Sequence, residues 1–294
     1  MRLLIAGWHG QVARALIEAA PSLPHIKALA AGRAALDVRD PRSIERAFSD
    51  ITPDIVINSA AYTAVDRAET DQEAAFALNR DGARLLARAA ARRDVPILHL
   101  STHYVFDGTK KEPYSEADTP APRTVFGRSK LEGEEAVAET NPRHVIVRTG
   151  WVFGTSGRNF ATNILSVAKT GEPLRVVADQ YGNPTYAPHL AAALLDVARR
   201  LAAERDDAAW GTYHVAGSGV TTWHGLATEI LARASVTSDT EPTVAAIATA
   251  DYPTAAPRPE NSTLDCTRFR EIFGVELPPW QEGVAACVAH HLES

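Results

Sequence analysis

Short apolar runs recur along the first half of the chain, each followed by a longer segment with helical spacing. Residues 2–6 (Arg-Leu-Leu-Ile-Ala), 54–58 (Asp-Ile-Val-Ile-Asn), 95–100 (Val-Pro-Ile-Leu-His-Leu) and 144–148 (His-Val-Ile-Val-Arg) are continuously apolar rather than alternating. A strand that is apolar on both sides is buried on both sides, which is the condition of a parallel sheet covered by helices. Residues 11–20 and the Ala/Leu/Arg-rich stretch 70–92 carry helical periodicity, the second reading as a solvated face. Asp40-Pro41 predicts a helix start, with aspartate as cap and proline in the first turn. Strands alternating with helices predict an α/β fold built on a doubly wound parallel sheet.

After about Gly150 the alternation loosens. Helices are predicted over 160–170, 188–204 and 223–234, separated by Gly/Pro/Asn loops such as 179–188 and a Pro-rich connection at 254–260. The expected organisation is a first domain over 1–150, to which part of 185–215 returns, and a smaller C-terminal substrate lobe formed mainly by 151–294.

Composition narrows the possibilities. A hydrophobic share of 45% suits a folded globular chain of 294 residues. The net charge of −6 gives no general attraction to nucleic acid or to an anionic membrane, so neither is an expected partner. Cys266 and Cys287 are the only cysteines, too few for a disulfide framework or a metal cluster. The opening Met-Arg-Leu-Leu-Ile-Ala-Gly is too short for a signal peptide, and no apolar run approaches a membrane span. A soluble, cytoplasmic protein is expected. Ten scattered histidines lack ligand spacing, so no catalytic metal is expected.

The first candidate chemistry lies where the first strand ends, at Gly7-Trp8-His9-Gly10-Gln11-Val12-Ala13. A glycine at a strand end permits a tight turn, and a second lets the backbone approach a pyrophosphate. The helix amides that follow face the anion. The GxxGxxA pattern alone is weak, but its position between strand and helix supports a Rossmann-type dinucleotide site. Asp37 lies downstream, where adenosine contacts are made. Arg33, after a presumed second strand, suits either a 2′-phosphate or a surface position, so NADPH and NADH both remain open.

A second cluster follows the run 95–100: Ser101-Thr102-His103-Tyr104. Polar residues at the carboxyl end of a parallel strand face the ligand crevice. Further on, Phe126 and Lys130 are one helical turn apart and share a face.

These residues resemble the short-chain dehydrogenases, in which a Tyr-x-x-x-Lys pair works with a strand-end Ser or Thr. The tyrosine gives a proton to a carbonyl oxygen as hydride arrives, and the lysine lowers its pKa and holds the nicotinamide ribose. More narrowly, 58–66, 101–108, 127–134, 148–154, 179–187, 213–217 and 258–265 resemble the dTDP-4-dehydrorhamnose reductase family. The resemblance implies reduction of the 4-keto group of a dTDP-6-deoxy sugar by NADPH or NADH. It assigns Gly7, Gly10, Gln11, Val12, Asp37, Val38, Ala61, Tyr62, Thr63 and Lys130 to the cofactor. Thr102, His103, Tyr104 and Trp151 fall to the substrate. A homodimer is left open.

Two positions depart from the family pattern: His103 replaces an aspartate and Phe126 replaces the tyrosine. A phenyl ring has no proton to give, and losing a positioned acid costs about 10²–10⁴ in rate. Three explanations are open: a replacement introduced to trap a bound state, a natural paralogue with weak activity or a binding role, or another donor. For the last, His103, Tyr104 and a water near Thr102 are candidates, although adjacent strand residues point to opposite faces. A related epimerase or dehydratase would also need the tyrosine, and His103 disfavours dehydration.

Overall fold

The continuous apolar runs become the middle of one sheet. In the computed structural model, which describes residues 1–168, 173–203, 209–235 and 243–293, β1 (Arg2–Ala6) leads through α1 (Gln11–Ala19), β2 (Lys27–Ala31) and α2 (Pro41–Ile51) to β3 (Ile55–Asn58). There follow α3 (Ala83–Ala91), β4 (Ile97–Thr102), α4 (Val125–Thr140) and β5 (His144–Thr149). The second half supplies α5 (Phe160–Ala168), β6 (Leu174–Val177), α6 (Ala187–Ala203), β7 (Gly211–His214), α7 (Trp223–Ser235), β8 (Val244–Ile247) and α8 (Trp280–Glu293).

The six-stranded sheet has the order β7-β5-β4-β3-β1-β2 and every pairing is parallel. Chain order reverses at β1, which places a ligand crevice beyond the carboxyl ends of β1 and β3. On one face Leu3, Ile5, Ile55 and Ile57 pack against Leu16 of α1 and Leu190 and Leu194 of α6. On the other, Leu4, Val56 and Ile97 meet Phe48 of α2, Leu86 of α3 and Val137 of α4. β2 lacks the apolar density of its neighbours because it is the edge strand, with half-exposed positions. A separate core of Phe153, Ile164, Leu165, Leu226, Ile230 and Val284 holds α5, α7 and α8 together. Part of the second half sits in the first layer: β7 pairs with β5 and α6 packs on α1.

Asp40 caps α2 as expected, its carboxylate accepting from Arg42 N–H at 2.9 Å. The stretch 70–92 is not one solvated helix. Gln72–Phe76 passes through a π-helical turn, Ala77–Gly82, before α3 begins, and α3 buries Leu86, Ala87 and Ala90. Only its charged stripe faces water. The predicted helix over 160–170 appears as α5, with residues 169 and 170 outside the described set, as is residue 204 of the 188–204 prediction. Among the described residues no helix is long and apolar enough to cross a membrane.

Candidate active site

A cleft of about 890 Å³ runs from the amino end of α1, past the carboxyl ends of β4 and β5, to α5, β6 and α7. At its first end the glycine turn has the geometry an anion needs. Gly7 has φ +111°, and a Cβ there would lie 2.7 Å from Ser59 Oγ, so the turn excludes a side chain. Gly10 caps α1 with extended backbone and no side-chain hydrogen bond, and a Cβ on it would meet nothing within 4 Å. The first amides of α1 therefore face open space. Three buried polar atoms on the cleft wall, Gln11 Oε1, His103 Nδ1 and Thr149 Oγ1, have no hydrogen-bond partner among the described residues. Uncapped amides and orphaned polar atoms around one cavity fit an elongated polar ligand such as a dinucleotide.

Of the predicted cofactor residues, Gly10, Gln11, Val12, Ala61, Thr63 and Lys130 line this cleft. Tyr62 sits behind it: its N–H donates to Asn79 Oδ1 at 2.8 Å and its hydroxyl to Asp71 Oδ2 at 3.0 Å. Val38 is buried in the core, while Asp37 lies off the cleft wall with its carboxylate taken by Arg39. The Arg39 side chain donates to Asp37 at 3.0 and 2.8 Å, and these bonds hold the acid down at about 2.

The middle of the cleft holds the strand-end cluster. β4 stops at Thr102, and His103–Val105 forms a 3-10 turn, capped by Thr102 Oγ1 accepting from Tyr104 N–H at 3.2 Å. Because the strand has ended, Thr102, His103 and Tyr104 all reach the cleft, and the alternation of strand faces does not separate them. His103 lies against Gly150, 4.5 Å from the Tyr104 ring between centroids. Burial lowers its pKa to about 4, so it carries no extra proton near neutrality and is a poor acid.

α4 starts beside this turn. Thr124 Oγ1 accepts from Gly127 N–H at 3.0 Å, and Gly127 has no room for a side chain beside the Tyr104 carbonyl. That close approach sets Phe126 edge-on to Tyr104, at 5.5 Å and 75°. One turn further, Lys130 is only 2% exposed, and its Nζ donates to Leu100 O at 2.6 Å. Burial pulls its pKa from 10.5 to about 8, against the opposing pull of Glu134. Glu134 is itself held by Arg148 (2.6 Å) and by the Ser101 hydroxyl.

The far end is aromatic and basic. Trp151 has φ +50°, stacks on Trp223 at 3.6 Å and 6°, and donates from Nε1 to Ser262 Oγ at 2.9 Å. It belongs to the second-lobe core and also lines the cleft. Arg158, Arg175 and Arg258 border the same cavity. Arg258 is anchored by Asp66 at 2.6 Å. The sequence did not single out Trp223 or the three arginines as site residues. Arg258 had the best signal, standing in the matched segment 258–265. Among the described residues, no three His, Cys, Asp or Glu side chains converge as a metal site.

Comparison with known proteins adds the family. A family model described as the RmlD substrate binding domain matches residues 1–293. The chain is 43% identical over 288 residues to a dTDP-4-dehydrorhamnose reductase of Sinorhizobium fredii, covering 98% of this chain and 97% of the relative. Among solved structures, the dTDP-4-dehydrorhamnose reductase of Bacillus anthracis in complex with NADP superposes with a TM-score of 0.90 at 31% identity, covering 100% of this chain and 99% of that one. The Clostridium acetobutylicum orthologue gives 0.92 at 32%, with complete coverage of both chains.

Proposed function

The chain belongs to the dTDP-4-dehydrorhamnose reductase family, and from that membership we propose that it reduces the 4-keto group of dTDP-4-dehydro-L-rhamnose to give dTDP-L-rhamnose, at a rate held down by Phe126. The observation that carries the reading is the convergence of Thr102 and Lys130 in one cleft with the uncapped start of α1. Bound NADPH or NADH would supply the hydride. Gly7, Gly10, Gln11 and Val12 would hold its pyrophosphate, Ala61 and Thr63 would flank it, and Lys130 would bind its ribose.

Thr102 accepts Tyr104 N–H and finds no acceptor for its own hydrogen among the described residues, so its hydroxyl is available to a substrate carbonyl oxygen. Such a donor stabilises the negative charge that grows on that oxygen. Tyr104, His103 and Trp151 bound the space for the sugar, and Arg158 and Arg175 offer cations to the diphosphate. The aromatic and basic wall suits a nucleotide-activated ligand more than a small free ketone.

The test is turnover of this substrate with each reduced nicotinamide, with the product identified by mass spectrometry. Slow formation of the 4-hydroxy sugar is expected, and Thr102→Val should lower it at least about tenfold. Phe126 also favours a second reading, a regulatory paralogue that binds dinucleotide or sugar nucleotide without chemistry. That reading requires saturable binding with no product, even at high enzyme concentration.

A further inference from the structure

We propose that Lys130 is itself the proton donor of this chain, its Nζ backed by the buried Asn58–His99 pair; this rests on the reductase reading above. Asn58 stands at the end of β3, and its Oδ1 accepts from Ala60 N–H at 3.2 Å. Its Nδ2 is therefore the atom that meets His99 Nδ1, at 3.0 Å. His99 is fully buried in β4, and burial holds it neutral, well below its ordinary pKa. A neutral imidazole that accepts at Nδ1 carries its hydrogen on Nε2. That Nε2 points at Lys130 Nζ, 3.3 Å away.

The consequence is asymmetric. An ammonium at Nζ offers only donors, so Nε2–H faces another donor. An amine at Nζ has a lone pair that accepts Nε2–H, while one of its own hydrogens keeps the 2.6 Å bond to Leu100 O. Loss of the proton thus turns an unfavourable contact into a hydrogen bond.

The surroundings do little to restore the charge. Glu134, one turn on, faces Lys130 but is engaged by Arg148 of β5 and by Ser101 of β4. On the π-helical turn packed against α4, Arg80 pairs with Asp81 and Glu132. Glu69 accepts from Val125 N–H and Asp71 from the Tyr62 hydroxyl. His103, across the cleft, is neutral, and His144 adds a further pull on His99 toward the neutral form. Burial already brings Lys130 to about 8, within range of a working acid near neutral pH.

The step balances. As the carbonyl carbon accepts hydride from the reduced nicotinamide, the C=O π pair moves onto oxygen. That oxygen takes a proton from Nζ, directly or over one water. Nζ is left as an amine, accepts Nε2–H, and regains a proton from solvent before the next turnover. With a phenyl ring at 126, no phenol stands between Lys130 and the oxygen.

The experiment is the pH dependence of kcat for the unaltered chain from about pH 6 to about pH 10, with saturating substrate and reduced nicotinamide. A plateau that falls about tenfold per pH unit above an apparent pKa near 8 is expected. His99→Gln can turn its amide oxygen to the ammonium, so the limb should move up by about one pH unit or more and the plateau should drop several-fold. Asn58→Asp accepts from Nδ1 and makes Nε2 an acceptor, so it should shift the limb the same way. In the protein alone, carbon NMR of the lysine Cε signals should show one resonance titrating near 8 that Lys130→Met removes and His99→Gln moves up. A flat profile, a limb that neither variant moves, or loss of the rate in Tyr104→Phe with the limb in place would overturn the proposal. So would an inert Phe126 chain whose Phe126→Tyr variant turns over, which leaves the reductase reading standing. Inactivity of both forms with intact cofactor binding refutes that reading instead.

Discussion

Replacing Phe126 by tyrosine adds one oxygen to a ring that is 6% exposed and already lines the cleft with Thr102 and Lys130. The ring stands edge-on to Tyr104 and one helical turn from Lys130, so a phenol there shares a face with the ammonium. A positioned acid accounts for about 10²–10⁴ in rate, or roughly 2.7–5.5 kcal/mol of barrier. Since Lys130 already gives a proton in the scheme above, the gain should fall toward the lower end, near 10² in kcat. The ring keeps its size and packing, so KM should stay within about threefold, and kcat and kcat/KM should rise together. Thermal stability should hardly change, because the new hydroxyl enters an open cleft. Steady-state kinetics at saturating reduced nicotinamide, with melting curves for both proteins, is the assay. A rise in kcat below about threefold, in a variant that folds and binds cofactor normally, would show that a phenol at position 126 does not reach the carbonyl oxygen.

Other expected outcomes are narrower. Glu134→Gln strands Arg148, at 5% exposure, without its carboxylate, which should cost about 3–5 kcal/mol and lower the melting temperature by roughly 5–10 °C. Replacing the pair together by Leu and Met should recover most of that loss by circular dichroism melts. Arg33 is exposed just beyond the end of β2, and Asp37 is occupied by Arg39, so a 2′-phosphate held there would meet a cation and no free carboxylate. NADPH should be preferred, and Arg33→Ala should lower its kcat/KM about tenfold while leaving NADH unchanged. Burial holds His103 near 4 and His214 near 3, against 6.5 in an unfolded chain. The unfolded state therefore binds more protons between pH 6.5 and 4, and stability falls as pH drops through that window. His103 alone contributes on the order of 3 kcal/mol, so the urea midpoint of His103→Gln should depend less on pH.

The parts of the fold legible in the sequence are those whose burial is repeated along one segment. β1, β3, β4 and β5 are buried on both faces and so read as runs of consecutive apolar residues, interrupted in β4 by His99. β2 and β7 flank them at the sheet edges and carry weaker patterns, Lys-Ala-Leu-Ala-Ala and Gly-Thr-Tyr-His. The clustering of Thr102, Phe126 and Lys130 in one cleft was legible where local geometry fixes it: a strand end for Thr102, and a four-residue helical interval for Phe126 and Lys130. What could not be read depends on partners distant in the chain. Trp151 and Trp223 stack across 72 positions, and Arg258 meets Asp66 across 192. His99 is the sharpest case. In sequence it is one polar residue inside an apolar strand, with nothing to distinguish it from a satisfied core histidine. Its effect on Lys130 requires Asn58 from the neighbouring strand to choose which ring nitrogen carries hydrogen, and α4 to bring Nζ to the other. The same spacing that identified Lys130 as a partner for an absent phenol therefore carried no sign that its own proton is loosened from behind. That information lies in the register of β3 against β4, which pairs Asn58 with His99.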